Sequence, residues 1–569
     1  MYIFPFDIVN KNEKILIYGV GNVGKDYYAQ VSASQFCSVE GFIDKNIDYR
    51  SFDGKRIYTI KEIEGLDFDR IIVAVKNDKE RHEIEKVLCD NNIEMNKIVS
   101  STVKTGGNNP IVVECKPVDD EIVHIGLYNP GGLGDSVLDL VLAQKLRILY
   151  GNRIHLFNAT KYSSFFEGNP LYDECRDIDE LNDADIIILN RHVATVLCWS
   201  PEKVKRIEPD LVDFCKKNIE FCNNKTTPER FERDVYTYAK VTKKNRIEII
   251  DVENVLSIDR RDNVLINWKS ETYEVLKRFG LLRKKYILIN RDVDAVQGMN
   301  NVKLWPREHY IELIRLIRKE YSTIKIIEVG ARNGEKSLEG TDGCIKGKTS
   351  FDELKILLKN SILLISSEGG LVHINHFLSK RSAVLFGPSD EEYFGYADDF
   401  ICVNRKCCGM PCNYMDKDYR INCMRKYDHA ECMYLIKPEQ VYSRIKEYIN
   451  SKINSLIEYD IIPKEEAINT YYTYINRGQR VFRTDEYSTS CFSPFSFLPN
   501  YPSFEACFDC ILIERKESEY SDPYGVFLEM LRLLSPSGVL IMDPFFVAKD
   551  DTFGINIDKD KRILVRYCK

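Results

Sequence analysis

Three times along this chain a short, β-branched run ends in a glycine-rich turn and passes into an amphipathic stretch. KILIYGV leads into Gly19-Val20-Gly21-Asn22-Val23-Gly24, EIVHIGLYN into Pro130-Gly131-Gly132-Leu133-Gly134, and SILLISS into Glu368-Gly369-Gly370. A buried strand, a tight turn and a helix make one βα unit, and repeated units dictate layered α/β sheets with mainly parallel strands. Further apolar runs (RIIVAV, RIHLFN, DIIILN, KKYILINRD, TIKIIEVG, RSAVLFG) supply companion strands, and FDCILIE and SGVLIMDPF a shorter fourth group. At about 100–200 residues per domain, a chain of 569 residues has room for three to five units. The reading is a Rossmann-like nucleotide-binding module over 1–115, two Rossmann-like halves over 116–280 and 281–455, and a small α/β module over 456–569. The polar stretch from Lys104 to Asn109, with Gly106-Gly107 and then Pro110, reads as a linker.

Charge and apolar patterning narrow the function. Lys+Arg 80 against Asp+Glu 87 gives a net charge of −7, whereas a nucleic-acid binder carries a basic footprint. No apolar run approaches the ~20 residues a membrane helix needs. The opening MYIFPFDIVNKNEK lacks a basic start followed by an apolar stretch, so a cytoplasmic protein is expected, working there or at the inner face of the membrane. Eighteen scattered cysteines fit reduced thiols. The segment from Pro201 to Arg261 is charged and helical in pattern. Its Lys203, Lys205, Arg206, Lys216 and Lys217 form either a solvated face or a peripheral contact with an anionic acceptor or membrane.

Gly19, Gly21 and Gly24 have the spacing of a dinucleotide-binding turn, and Asp44 ends the next strand where an acid accepts from a ribose hydroxyl. A P-loop is excluded, because Asp26 follows Lys25 where Ser or Thr would bind magnesium. Packing alone also accounts for these glycines. At the second turn Gly132 and Gly134 permit close approach of a substrate, and Asp135 either points into the cleft or caps the helix. At the third, Gly369 and Gly370 open a helix after a buried strand, an arrangement suited to anions. Lys303, before Trp305-Pro306, would neutralise charge on a leaving diphosphate. Arg291 ends the preceding strand, and His373 is either a site residue or a satisfied core histidine.

Taken together, Gly134-Asp135, Lys303 before Trp305-Pro306, Glu368-Gly369-Gly370-Leu371-Val372-His373 and Phe386-Gly387-Pro388 carry a resemblance to glycosyltransferase family 9, the ADP-heptose:lipopolysaccharide heptosyltransferases. It spans about Glu121 to Ile449. The resemblance implies a GT-B fold of two Rossmann-like halves facing across a cleft, with inversion at the anomeric carbon and no catalytic metal. Asp135 would be the general base, and Lys303, Arg291, Glu368, Gly369, Gly370 and His373 would hold the nucleotide-diphospho-sugar. Glu368 stands where the family has Asp, and Gly369 where it has a small hydroxyl residue, so the donor pocket is expected to differ. The acceptor would be a hydroxyl of a surface glycan, a lipid-linked glycan or a protein. A non-catalytic sugar-nucleotide-binding scaffold is the alternative, and joint retention of Asp135, Lys303 and His373 favours the enzyme. An NAD-dependent oxidoreductase would rest on the first glycine turn alone.

Cys407, Cys408, Cys412, Cys423 and Cys432 bring soft ligands into one region. Related protein heptosyltransferases hold a cysteine-bound iron here, which makes Cys408, Cys412, Cys423 and Cys432 the candidate set for structural zinc or iron. Metal-free thiols are the other reading. The first module resembles the nucleotide-binding domain of sugar acyltransferases. The last block, with Leu534-Ser535-Pro536-Ser537-Gly538 before a strand, resembles the second half of a class I methyltransferase without the cofactor loop.

Overall fold

A computed structural model describes the chain outside residues 1, 6–7, 11, 35, 46–49, 102, 106–118, 177–182, 227–230, 265, 293–300, 332–335, 415–422, 454–455, 478, 484–507, 514–521, 543–560 and 569. Gly106-Gly107 and Pro110 of the expected linker therefore lie outside the described residues. The chain divides into two compact units, 1–167 with 171–260 and 168–170 with 261–569. Both are α/β, as the apolar runs dictate.

In the first unit, β1 (Lys14–Tyr18) runs parallel between β2 (Ser38–Ile43) and β3 (Arg70–Val73). Helix α1 (Asn22–Ser34) covers them with Val23, Tyr27, Tyr28 and Val31, all buried. Lys104–Thr105, expected to start a linker, instead pair antiparallel with Tyr2–Ile3 and close the module on itself. A second face of α1 places Ala29 against Tyr128, Phe157, Leu189 and Leu197 of the next sheet.

That sheet is built on β4 (Val123–Asn129), with β5 (Ile154–Thr160) and β6 (Ile186–Arg191) parallel on either side. Helix α2 (Leu133–Tyr150) follows β4. A further strand, β7 (Val193–Trp199), folds back antiparallel to β6 through His192 at φ 75°. Beyond it the charged segment forms helices Pro201–Ile207, Pro209–Lys225 and Phe231–Thr242. Its basic residues are largely committed. Lys203 lies 2.9 Å from both Asp120 and Asp185, Arg206 is 2.8 Å from Glu121, and Lys217 is 2.8 Å from Asp213. Lys203, whose side chain is 9% exposed, is thus balanced internally, while Arg206 and Lys217 form surface pairs.

In the second unit, helix α3 (Thr272–Arg278) precedes β8 (Tyr286–Asn290), which lies parallel between β9 (Lys325–Val329) and β10 (Leu363–Ser367). Helix α4 (Phe351–Asn360) precedes β10, and α5 (Gly370–Phe377) follows it. β11 (Ser382–Phe386) and β12 (Phe400–Val403) extend the sheet in parallel. The last module is a five-stranded mixed sheet with helix α6 (Pro523–Leu533). It is fastened to the rest of its unit by buried polar contacts. The Asp522 carboxylate accepts from Trp268 Nε1 at 3.2 Å, Thr272 N at 3.2 Å, the Thr272 hydroxyl and Gly525 N at 3.1 Å. Glu529 meets Lys359 at 2.9 Å and Arg532 at 2.6 Å. Burial alone would raise the Glu529 carboxyl, but Arg532 and Lys359 outweigh it and hold it at about 2. Among the described residues no helix is long and apolar enough to cross a membrane.

Candidate active-site halves

On the first unit, β4 delivers the chain into the 130–132 turn, and Gly132 is the N-cap of α2. The helix therefore starts two residues before the expected Asp135, which becomes its third residue. This removes the capping role: no side chain caps this terminus. The turn is tight at Gly131, where a Cβ would stand 2.8 Å from Asn129 Oδ1 and 3.1 Å from Asp135 Oδ2. At Gly132 the added Cβ would meet only Asp135 Oδ2, at 3.9 Å, and Gly134 lies in the first turn of α2. The Asp135 side chain is 48% exposed, and its Oδ1 accepts from Arg246 Nη2 at 3.3 Å. Arg246 is buried and also donates to His192 O at 3.2 Å. Nothing in the local sequence announces Arg246, which lies 111 positions further on.

On the second unit, β10 ends at Ser367, Gly369 is the N-cap of α5, and Glu368 sits between them. Lys303 Nζ reaches Glu368 Oε2 at 2.5 Å, and Ser389 Oγ donates to the same oxygen at 2.7 Å. Burial works to raise the Glu368 carboxyl, and the Lys303 ammonium and Ser389 hydroxyl outweigh it, holding it below the ordinary value. Ser367 Oγ donates to Lys303 O at 2.8 Å, so the turn carrying the lysine is tied to the end of β10. Arg405 donates to Gly387 O at 2.9 Å and pairs with Glu391 at 2.5 Å, bracing the turn that bears Ser389.

His373 is buried, with Nδ1 2.6 Å from Tyr396 Oη. His376 stacks on the same tyrosine ring at 3.6 Å, and burial pushes its imidazole down to about 3, so it is neutral. Sequence reasoning missed Tyr396, whose partners lie in α5, and Arg405, whose partners lie beyond β11. Arg291 donates to Glu328 Oε2 at 3.0 Å and to Lys336 O at 2.8 Å. Asp292, the next residue, lies 2.6 Å from buried Lys346.

In the N-terminal module the three glycines divide their work. Gly19 has φ +105°, and a Cβ on Gly24 would stand 1.9 Å from Gly19 O, while one on Gly21 would meet nothing within 4 Å. Asp44 Oδ2 accepts from Val20 N at 2.8 Å, pinning the turn.

The cysteine region gathers around the loop after β11. Cys407 and Cys408 have sulfurs 3.6 Å apart, Cys412 N donates to Pro388 O at 3.0 Å, and a Cβ on Gly387 would lie 3.3 Å from Cys432 Sγ. Burial, reinforced by the neighbouring thiols, pushes Cys412 up to about 11 and Cys432 up to about 12. Soft sulfur donors suit zinc or iron. Among the described residues, however, no group of three or more His, Cys, Asp or Glu stands ready to hold an ion. Cys37, Cys215, Cys402, Cys407, Cys408, Cys412, Cys423 and Cys432 are among the free thiols, and Cys198 is disulfide-bonded, contrary to an all-reduced set.

Residues 218–423 match the family model described as glycosyltransferase family 9 (heptosyltransferase), and residues 11–99 the model described as C2185-like, N-terminal. The first match contains Arg291, Lys303, Glu368 to His373, Cys408, Cys412 and Cys423; Asp135 and Cys432 lie outside it. No curated protein matches the chain. Among solved structures, a glycosyl transferase family 9 protein from Veillonella parvula is 16% identical, with 58% of this chain and 99% of that one covered and a TM-score of 0.37. The E. coli ADP-heptose lps heptosyltransferase II is 10% identical over 58% of this chain and 100% of that one, with a TM-score of 0.34. The iron-containing dodecameric glycosyltransferase TibC from enterotoxigenic E. coli is 15% identical over 59% and 78%, with a TM-score of 0.40. Residues 218–423 are thus similar to glycosyltransferase family 9, the heptosyltransferases.

Proposed function

We propose that the chain inverts configuration at the anomeric carbon of a nucleotide-diphospho-sugar, without a catalytic metal, and that the donor is ADP-heptose. The acceptor is a hydroxyl of a surface glycan, a lipid-linked glycan or a protein, reached in the cytoplasm or at the inner face of the membrane. The observation that carries this reading is the Lys303–Glu368–Ser389 cluster at the Gly369–Gly370 helix start, inside the segment matched by the family model. A lysine beside backbone N–H groups opposes the negative charge that grows on a departing diphosphate. The bonds from Lys303 and Ser389 both fall on Glu368 Oε2, so the carboxylate anchors Lys303 and offers Oε1 to a donor hydroxyl. Asp135, half exposed beside Arg246, takes the proton of the acceptor hydroxyl. Gly21, open to approach, and Asp44 support nucleotide binding by the N-terminal module. By donor chemistry Cys408, Cys412, Cys423 and Cys432 are the set that would hold structural zinc or iron, although the structure does not gather three of them around one ion position.

The test is nucleoside diphosphate release from ADP-, GDP-, UDP- and dTDP-sugars in the presence of chelator, with Asp135→Ala alongside. Release from ADP-heptose alone, lost in the variant, is the expected result. No turnover together with no calorimetric binding on that panel would replace the enzyme by the scaffold reading. Metal content of the purified protein near one zinc or iron per chain, lost in Cys412→Ser, checks the structural ion.

A further inference from the structure

Between α2 and the sheet it covers, one layer is polar. Thr160 stands opposite Asn129, and Asn158 opposite Leu127, across the parallel pair β5–β4. Leu189 of β6 stands opposite Tyr128 of β4, so Asn190 falls one step further, level with Asn129. Partners across parallel strands share a face, and alternate residues of one strand do too. Asn129, Asn158, Thr160 and Asn190 therefore line one face. Ser136 Oγ lies 3.0 Å from Thr160 Oγ1, which identifies it as the face beneath α2.

Into this layer α2 sends Asp139, one helical turn after Asp135 and on the same side. Asp139 is 3% exposed. Its Oδ2 accepts from Asn129 Nδ2 at 2.9 Å, whereas Oδ1 and both polar atoms of buried Asn158 make no hydrogen bond among the described residues. A buried acid with an unmet oxygen is a destabilising choice for a core position, and such groups persist where they serve a site. The link to the site is continuous. Asn129 Nδ2 is held by Asp139, which leaves Asn129 Oδ1 facing Gly131 N, and that bond is 2.9 Å. Gly131 in turn lies against the Asp135 carboxylate.

We propose that Asp139 is a positioning residue for Asp135, acting through the Asn129 amide on the turn from 130 to 132. The inference rests on the reading of Asp135 as the acceptor-side base. Charged and titratable groups facing Asp139 are Asp135 on the same helix, Arg246, and Tyr172. Burial pushes the Asp139 carboxyl up to about 8, against the pull of the Asn129 and Asn190 amides, and the Asp135 charge adds to the rise. Near neutral pH Asp139 is thus a carboxylic acid, which aligns the amide without competing with Asp135 for Arg246.

Hydrogen–deuterium exchange of the 129–136 segment in the full chain tests the link directly. Asp139→Ala and Asn129→Ala should each speed exchange there by about tenfold, as loss of one net hydrogen bond does, and leave β8 to β12 unchanged. Asp139→Asn, which keeps an acceptor toward Asn129, should retain protection. ADP release from ADP-heptose should fall about tenfold in the first two, in kcat and not in KM, and stay near wild type in the third. Unchanged exchange in Asp139→Ala overturns the inference; if that variant does not fold, Asn129→Ala decides in its place. Faster exchange with turnover intact in both Asp139→Ala and Asp135→Ala would instead remove Asp135 as the base and leave the positioning link standing.

Discussion

The two glycine turns that bear Asp135 and Glu368 are built alike and solvated differently. Each follows a buried parallel strand, each opens a helix with a glycine N-cap, and each sets a carboxylate beside a cation. Asp135 is 48% exposed and 3.3 Å from its guanidinium; Glu368 is 7% exposed and 2.5 Å from its ammonium. The Asp135 pair is long and its carboxylate half exposed, which leaves that carboxylate available to a substrate even though Arg246 is buried. A buried pair is rigid, and removing one partner strands the other charge at a cost of about 3–5 kcal/mol. One turn thus presents a base, and the other an anchor.

The sharpest way to break this contrast is Asp135→Ala. It should lower turnover by about 10²–10⁴-fold, the usual contribution of a general base, and lower the melting temperature less than Glu368→Ala does, because Arg246 keeps its bond to His192 O. Stopped-time assays beside a thermal melt separate the two effects. At Glu368 the order reverses: Glu368→Ala should destabilise by about 3–5 kcal/mol in urea unfolding, and Glu368→Ala with Lys303→Met should recover part of that loss. A double variant no more stable than the single would show that the pair is not coupled.

The buried carboxyls also predict opposite pH responses. Glu368 is held low by Lys303 and Ser389, so its stabilisation is present above the ordinary glutamate range and fades as pH falls through the depressed value. Glu368→Gln should flatten that acid limb. Asp139 is pushed up to about 8 by burial, so the native state keeps a proton that the unfolded chain has lost. Stability therefore declines as pH rises from about 4 toward 8, and Asp139→Asn should gain on wild type across that window. Parallel stability curves for Asp139→Asn and wild type would remove the raised acid. The smallest effects concern the N-terminal turn. Gly21→Ala should change stability by less than about 0.5 kcal/mol, because an added Cβ meets nothing, while Gly24→Ala should cost about 1–3 kcal/mol against Gly19 O.

Strands and glycine turns were legible because their signal is local. Continuous apolar runs bounded by glycine marked β1, β4, β8, β10 and β11. β7 escaped notice, since VATVLCW follows β6 after one residue and the hairpin depends on the positive φ of His192, which is not a glycine. The start of α2 was read two residues late because Asp135 is itself a good cap residue, whereas the backbone uses Gly132. The partner of Arg291, Glu328, lies 37 residues away and has no local signal.

The order of residues alone determined the α/β class, the three glycine turns and the carboxylate and lysine that stand at them. These follow from periodicity, backbone freedom and charge within a few residues of one another. Tertiary structure decided how each group behaves. It brought Arg246 to Asp135 across 111 positions, Lys303 to Glu368 across 65, and Trp268 to Asp522 across 254. It also left Asp135 in water while burying Glu368 and Asp139. Solvation and long-range pairing set the charge state and mobility of a carboxylate, and neither is encoded in its immediate neighbours.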